Sequence, residues 1–181
     1  MAITDDIEIL QKFRDTNSQN YAFSLLVNKY KQQVYYHIRR IVIDHDDAND
    51  ITQNTFIKIF ENLHQFREDS KLYTWIYRIA NNEDIGFLKS KRRRIFMPFI
   101  DVERQLSNAL QTSKYFSGDE IQMKLQQAIL KLPEKQRLVF NMRYYDEMKY
   151  EDMAEILGTS VGALKASYHI AAKKIEESVI Q

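Results

Sequence analysis

Cysteine is absent from this chain, glycine occurs only four times and proline twice. Without cysteine there is neither a disulfide framework nor a thiolate metal site, which suits a reducing compartment. Few glycines and prolines mean few forced turns, a bias toward long helices over many short strands. No apolar run approaches the ~20 residues of a membrane span. The start, MAITDDIEIL, has neither the basic flank nor the apolar core of a signal peptide. No sign of charge dominates either: the net charge of +1 excludes a globally basic coat for nucleic acid, so any such contact must come from local patches. There is no phosphate loop, GxSxG elbow or HExxH motif. His37, His45, His64 and His169 show no metal-ligand spacing. No catalytic residue, metal or cofactor is therefore nominated, and an enzyme is not expected.

What is present is a helical pattern and one unusual stretch. A chain of 181 residues with 44% hydrophobic side chains can bury a core in one medium domain or two small ones. Ile3, Ile7, Leu10 and Phe13 suggest a short amphipathic helix over 3–15. Phe23, Leu26, Val27, Tyr30, Val34 and Ile38 recur at three- and four-residue steps and predict a stronger one over 21–42. The acidic run Asp44 to Asp50 resembles a calcium loop only superficially. It lacks the central glycine, and Thr55 stands where a bidentate acid is needed. It suits a helix start, where carboxylates meet the positive end of the dipole. The helix predicted over 48–63 would bury Ile51, Phe56, Ile59, Phe60 and Leu63 and expose Asn49, Asp50, Gln53, Asn54 and Lys58.

The unusual stretch is Phe66 to Arg94. It holds the single tryptophan, Trp75, among Tyr73, Tyr77 and Phe87, followed by Lys89, Lys91, Arg92, Arg93 and Arg94 in a six-residue window. Aromatic faces followed by cations suit unstacked bases and phosphates. Thr74, Arg78, Asn81 and Asn82 could supply hydrogen bonds to an extruded base. The bland reading is a core tryptophan at helical spacing beside a solvated charge run. Gly86 predicts less regular helix around it.

Residues 95–120 read as a linker, from Pro98, the Ser117-Gly118-Asp119 run and a change of local charge from net +2 over 1–94 to −2. The last sixty residues read as four helices. Ile121, Leu125 and Ile129 mark the buried side of the first, and Pro133 opens the second. The short YEDMAEIL is stopped by Gly158, and Ser160 caps a longer helix with Leu164, Tyr168, Ala171 and Ile175 inside. Short helix, glycine turn, longer helix is the helix-turn-helix pattern, whose outward Lys165, Ser167, His169 and Lys173 could meet a major groove. These residues alone leave open a conventional helix-turn-helix regulator that binds DNA without polymerase, and a helical adaptor with no DNA role.

From about residue 20 to 177 the chain resembles a bacterial RNA polymerase sigma factor of the extracytoplasmic-function type. The resemblance rests on AFSLLVNKYKQQVYYHIRR, DDANDITQNTFIKIFENL, FREDSKLYTWIYRIANN, NEDIGFLKSKRRR and the C-terminal block from ILKLPEKQ to AAKKI, in that order. It implies an all-α protein of two small helical domains: 1–94, which binds polymerase and the minus-ten element, and 121–181, with the helix-turn-helix for the minus-thirty-five element, joined by a linker over 95–120. It places Asp50, Gln53 and Phe56, with Asp47 and Asn54 beside them, on the helix that grips the polymerase clamp. It places Phe66, Tyr73, Thr74, Trp75 and Asn82, with Arg78, around melted minus-ten DNA, and Lys89, Lys91, Arg92 and Arg93 near the promoter backbone. Ser160, Lys165, Ser167, His169 and Lys173 fall on the minus-thirty-five helix. Family members often carry arginine where this chain has Ser167, Ile170 and Ala172, which implies fewer phosphate contacts and a shallower salt slope. The implied partners are core RNA polymerase, promoter DNA and an anti-sigma factor, with cytoplasmic location and no membrane insertion.

Overall fold

The computed structural model describes residues 5–95, 108, 110 and 120–180, with the side chains of 85, 89, 91–95 and 180 excepted. All regular structure among them is helical: α1 (Asp6–Arg14), α2 (Gln19–Val42), α3 (His45–Asn62), a 3₁₀ turn (Leu63–Gln65), α4 (Leu72–Ile95), α5 (Glu120–Leu130), α6 (Glu134–Tyr144), α7 (Tyr150–Leu157) and α8 (Val161–Ile180). The linker expectation over 95–120 falls almost wholly outside the described residues.

In the first half, Leu26, Tyr30, Val34 and Ile38 of α2 meet Ile51 and Ile59 of α3 and Leu72, Ile76 and Ala80 of α4 in one core. A nine-residue helix such as α1 is marginal alone, so docking on α2 holds it. The docked face is Ile9, Leu10 and Phe13, whereas Ile7, expected inside, is 58% exposed. Leu10 and Phe13 are buried as expected, and Ile9 takes the place expected for Ile7, because the apolar residues of α1 lie on two sides and contact with α2 selects one. The acidic run starts α3 as predicted: Asp44 caps it, its carboxylate accepting from the backbone N–H of Asp46 and Asp47 at 2.9 and 3.0 Å. Gly86 does not interrupt α4. It costs about 1 kcal/mol relative to alanine, which burial of Leu88 two residues on, worth about 2 kcal/mol, offsets.

In the second half, Ala128, Ile129, Phe140, Ala171 and Ile175 form one cluster, and Val139, Met142, Met153, Ile156 and Leu164 another. Ile121 is 69% exposed, against the expected buried face of α5. Gln126 takes an inner position instead, its amide donating to the Tyr145 hydroxyl at 2.6 Å. Pro133 stands at the N-cap of α6, one residue before the first turn. Gly158 closes α7 at φ +61°, the left-handed conformation for which glycine carries no Cβ penalty.

The halves touch. Tyr77 of α4 belongs to the Met142–Met153 cluster, Leu138 of α6 packs against the cores of both halves, and Ile43 clusters with Leu110 and Leu130.

Candidate nucleic-acid interface

Three surfaces carry the residues singled out above. The first lies between α2 and α3. An open groove of about 720 Å³ has Phe23, Val27, Phe56, Ile57 and Phe60 as its floor and Lys31, Asn49, Gln53 and Glu61 along its rim. Phe23 and Phe60 meet edge to face at 4.9 Å. Phe56 belongs to the core of the first half, Phe23, Val27 and Phe60 pack partly buried against it, and Ile57 is 48% exposed, so the groove leaves apolar surface open to a partner. Of the expected polymerase-contacting set, Gln53 and Phe56 line this groove. Asp50 and Asn54 are exposed on the neighbouring face of α3, and Asp47 is half-buried in its first turn. An elongated apolar floor with a polar rim suits a helical partner. Lys31, Tyr35 and Ile57 also line it. Their helical phase against Phe56 and Val27 was a readable signal for them.

The second surface is α4. Trp75 is half-buried, its ring tilted 45° on Phe66 at 5.3 Å. Beside it, Ile79, Asn82, Lys58, Asn62, Gln65 and Glu83 complete a second open pocket of about 410 Å³. Lys58 bridges to Glu83 across its mouth. An indole face and the exposed Asn82 amide on one concave wall can stack one unpaired base and hydrogen-bond its edge. Phe66 itself is only 9% exposed, so it supports the indole from behind. The rest of the expected set does not join this pocket. Tyr73 and Tyr77 pack together at 4.6 Å and face the second half of the chain. Thr74 is fully buried. Arg78 reaches the Glu155 carboxylate on α7 at 3.1 Å. Lys89, Lys91, Arg92 and Arg93 ride the last turns of α4, but their side chains lie outside the described residues.

The third surface is the pair α7–α8. The Ser160 hydroxyl accepts from the Ala163 N–H at 3.2 Å, capping α8. Lys165, His169 and Lys173 are exposed along α8, with Ser167 half-buried among them. The Lys165 ammonium sits 5.8 Å from the Tyr150 ring centroid. Ile170 adds a 45% exposed apolar side chain to the face, able to contact a thymine methyl.

One polar cluster went unseen in the sequence. His37 is fully buried, with Nδ1 2.6 Å from an Asp146 carboxylate oxygen and Nε2 3.3 Å from Asn81 Oδ1. Arg40 donates to the other Asp146 oxygen at 2.9 Å. Asp84 is buried nearby, and burial pushes its carboxyl up to about 7. These residues come from α2, α4 and the turn after α6, up to 109 positions apart, and no spacing rule connects them.

Residues 26–94 match the family model for Sigma-70 region 2, and residues 122–175 that for Sigma-70 region 4. The RNA polymerase sigma-H factor of Pseudomonas aeruginosa is 32% identical over 166 residues, covering 87% of this chain and 86% of that protein. The extracytoplasmic-function sigma factor SigW of Bacillus subtilis is 31% identical over 159 residues, 82% of this chain and 83% of that protein. The chain belongs to the extracytoplasmic-function RNA polymerase sigma factors. As a sigma factor it directs transcription initiation, and its family is one of DNA-binding initiation factors. The fold agrees with two solved structures, each at TM-score 0.68 and 20% identity. They are the sigma factor RpoE with the anti-sigma factor NepR from Bartonella quintana, covering 87% of this chain and 96% of that one, and CnrH with the cytosolic domain of CnrY, covering 95% and 96%. No helix among the described residues of this sigma factor is long and apolar enough to cross a membrane.

Proposed function

We propose that residues 1–94 of this sigma factor dock on core RNA polymerase and hold the opened minus-ten strand, while residues 121–181 bind the minus-thirty-five duplex, with 95–120 as the connection. The observation that carries the reading is the Trp75–Asn82 pocket, one aromatic wall and one amide on a concave surface large enough for a single base. Melted DNA exposes bases that duplex DNA hides, so a stacking pocket binds the opened state in preference to the closed one. That difference is the whole mechanism: binding energy biases the strand equilibrium, and the polymerase supplies the chemistry. Phe66 stiffens the indole. Lys89, Lys91, Arg92 and Arg93 hold the adjacent backbone, and Tyr73, Thr74 and Arg78 extend the strand-binding face once uncovered.

The groove over Gln53 and Phe56, flanked by Asp47, Asp50 and Asn54, takes the helical clamp of the polymerase, whose apolar side fits the phenylalanine floor. On α8, Lys165 and Lys173 hold phosphates while His169, Ser167 and the Ser160-capped first turn approach base edges. The factor works in the cytoplasm and carries out no catalysis of its own. Relatives solved with anti-sigma proteins support such a partner here as well, one that competes for the α2–α3 groove. The test is transcription in vitro on promoter DNA with core polymerase, with and without the chain. Initiation at a defined start that requires the chain, and that falls with Gln53→Ala and Trp75→Ala, is the expected result. Equal transcription by the two variants and the parent would overturn the assigned sites.

A further inference from the structure

The outward face of α8 has an uncharged centre. Lys165, Ala166, His169, Ile170 and Lys173 are linked by three- and four-residue steps and are all exposed, while Leu164, Ala171 and Ile175 on the opposite side are buried. The cations stand at the margins of this face. The Lys165 ammonium lies over the Tyr150 ring of α7, 5.8 Å from its centroid, a ring that the Arg143 guanidinium also approaches, at 5.2 Å. Lys173 is two turns further along α8. Lys174 turns away to α6, where it donates to the Gln136 side-chain oxygen at 3.1 Å. Between Lys165 and Lys173 the face consists of Ala166, His169 and Ile170.

Isoleucine is not what the fold asks for at position 170. Its side chain is 45% exposed, and a β-branched residue is a weaker helix former than the lysine, glutamate or glutamine that suits an exposed site. A single exposed isoleucine is ordinary on a protein surface. The place of this one, between lysines on the outer face of a helix-turn-helix, gives it meaning. The lysines make the occupant of the face a polyanion, and duplex DNA carries one apolar group in its major groove, the thymine C5-methyl. The rest of α8 has few other means of reading a base. Its sequence, VGALKASYHIAAKKIEESVI, contains no arginine, asparagine or glutamine, the residues that pair bidentately with guanine and adenine. At its first turn Gly162 is exposed, and a Cβ placed on it would meet nothing within 4 Å. The fold therefore has room there for alanine, a better helix former, and the missing methyl lets this turn sit closer to a groove floor.

We propose that Ile170 is a specificity-determining residue of this sigma factor: it packs on the C5-methyl group of a thymine in the minus-thirty-five major groove, with the Ala166 methyl beside it, and so selects thymine at one position by apolar contact. The inference deepens the minus-thirty-five reading above and rests on it. Lys165 and Lys173 hold the backbone on either side, contacts that position the helix without reading sequence, and His169 meets the neighbouring base edge. One methyl group taken out of water is worth about fourfold in an equilibrium. The preference for thymine is of that size, and it disappears with the isoleucine.

The test uses the holoenzyme, core polymerase with the full chain, on promoter DNA whose minus-thirty-five segment has first been selected from a randomised pool. Each thymine of either strand in the selected segment is then replaced singly by deoxyuridine, which removes only the C5-methyl. The parent should lose about fourfold in affinity at one of these thymines, and Ile170→Ala should bind the thymine and deoxyuridine forms equally. The converse exchange adds the methyl back to a different base. With cytosine at that position, 5-methylcytosine should bind the parent about fourfold more tightly than cytosine does, and Ile170→Ala should not distinguish the two. A selected segment without an A·T pair, deoxyuridine tolerated by the parent at every position, or a methyl effect that survives Ile170→Ala would overturn the assignment. So would weaker binding of core polymerase by Ile170→Ala with its base preference unchanged, which would make the residue a protein contact. Failure of the minus-thirty-five reading is seen separately, as promoter binding whose strength and salt dependence are indifferent to Lys165→Ala.

Discussion

Trp75 separates two roles that other residues combine. Its body packs on Phe66 and its edge faces a pocket shared with Asn82, so truncation removes a stacking wall while leaving Phe66 to cover the core. Losing one base–aromatic stack costs about 1–3 kcal/mol, or roughly tenfold or more in an equilibrium. Trp75→Ala should therefore depress open-complex formation by about that factor and leave duplex binding nearly unchanged, as read by potassium permanganate reactivity against a duplex mobility shift. Gln53 offers the matching test for the groove. It is exposed on the rim, so Gln53→Ala should weaken core polymerase binding several-fold with a melting temperature unchanged, as measured by fluorescence anisotropy and calorimetry. Phe56 is less useful as a probe, because it is 7% exposed and its loss would also open the core.

At the scale of helices, α3 shows how a cap can serve a binding surface. Asp44 satisfies two backbone N–H groups at its start, so Asp44→Ala should lower stability by about 1 kcal/mol, visible as a reduced denaturation midpoint. For α8, Lys165 is an exposed cation on a face that has few. Lys165→Ala should flatten the dependence of log affinity on log salt by about one unit, measured on minus-thirty-five duplex. Much of this was legible in the sequence. The acidic start, the polar face of α3, the Gly158 stop and the Ser160 cap all follow from local rules, and local rules act within one turn. What escaped were choices between faces. Ile7 and Ile121 looked buried by spacing, but a helix with apolar residues on two sides is oriented by its neighbours. Thr74 is buried and Tyr73 packs against the cluster around Met142 and Met153, contacts that no periodicity reports because they join helices some eighty residues apart.

The whole molecule holds the three surfaces in unequal readiness. The α2–α3 groove and the outer face of α8 are open, while Tyr73 of α4 packs against the cluster around Met142 and Met153. The halves are joined by charged and polar pairs, the buried His37–Asp146 contact among them, as well as by Tyr77 and Leu138, contacts that water and a competing polyanion can replace more readily than a continuous apolar core. On the proposed reading, the chain opens promoter DNA only together with core polymerase. The measurement that bears on this most directly is permanganate reactivity of unpaired thymines in promoter DNA, with core polymerase and this chain added separately and together. Reactive thymines near minus ten that need both proteins, and that fade with Trp75→Ala, are the predicted result. Reactivity that core polymerase produces without the chain, or that Trp75→Ala leaves intact, would contradict it.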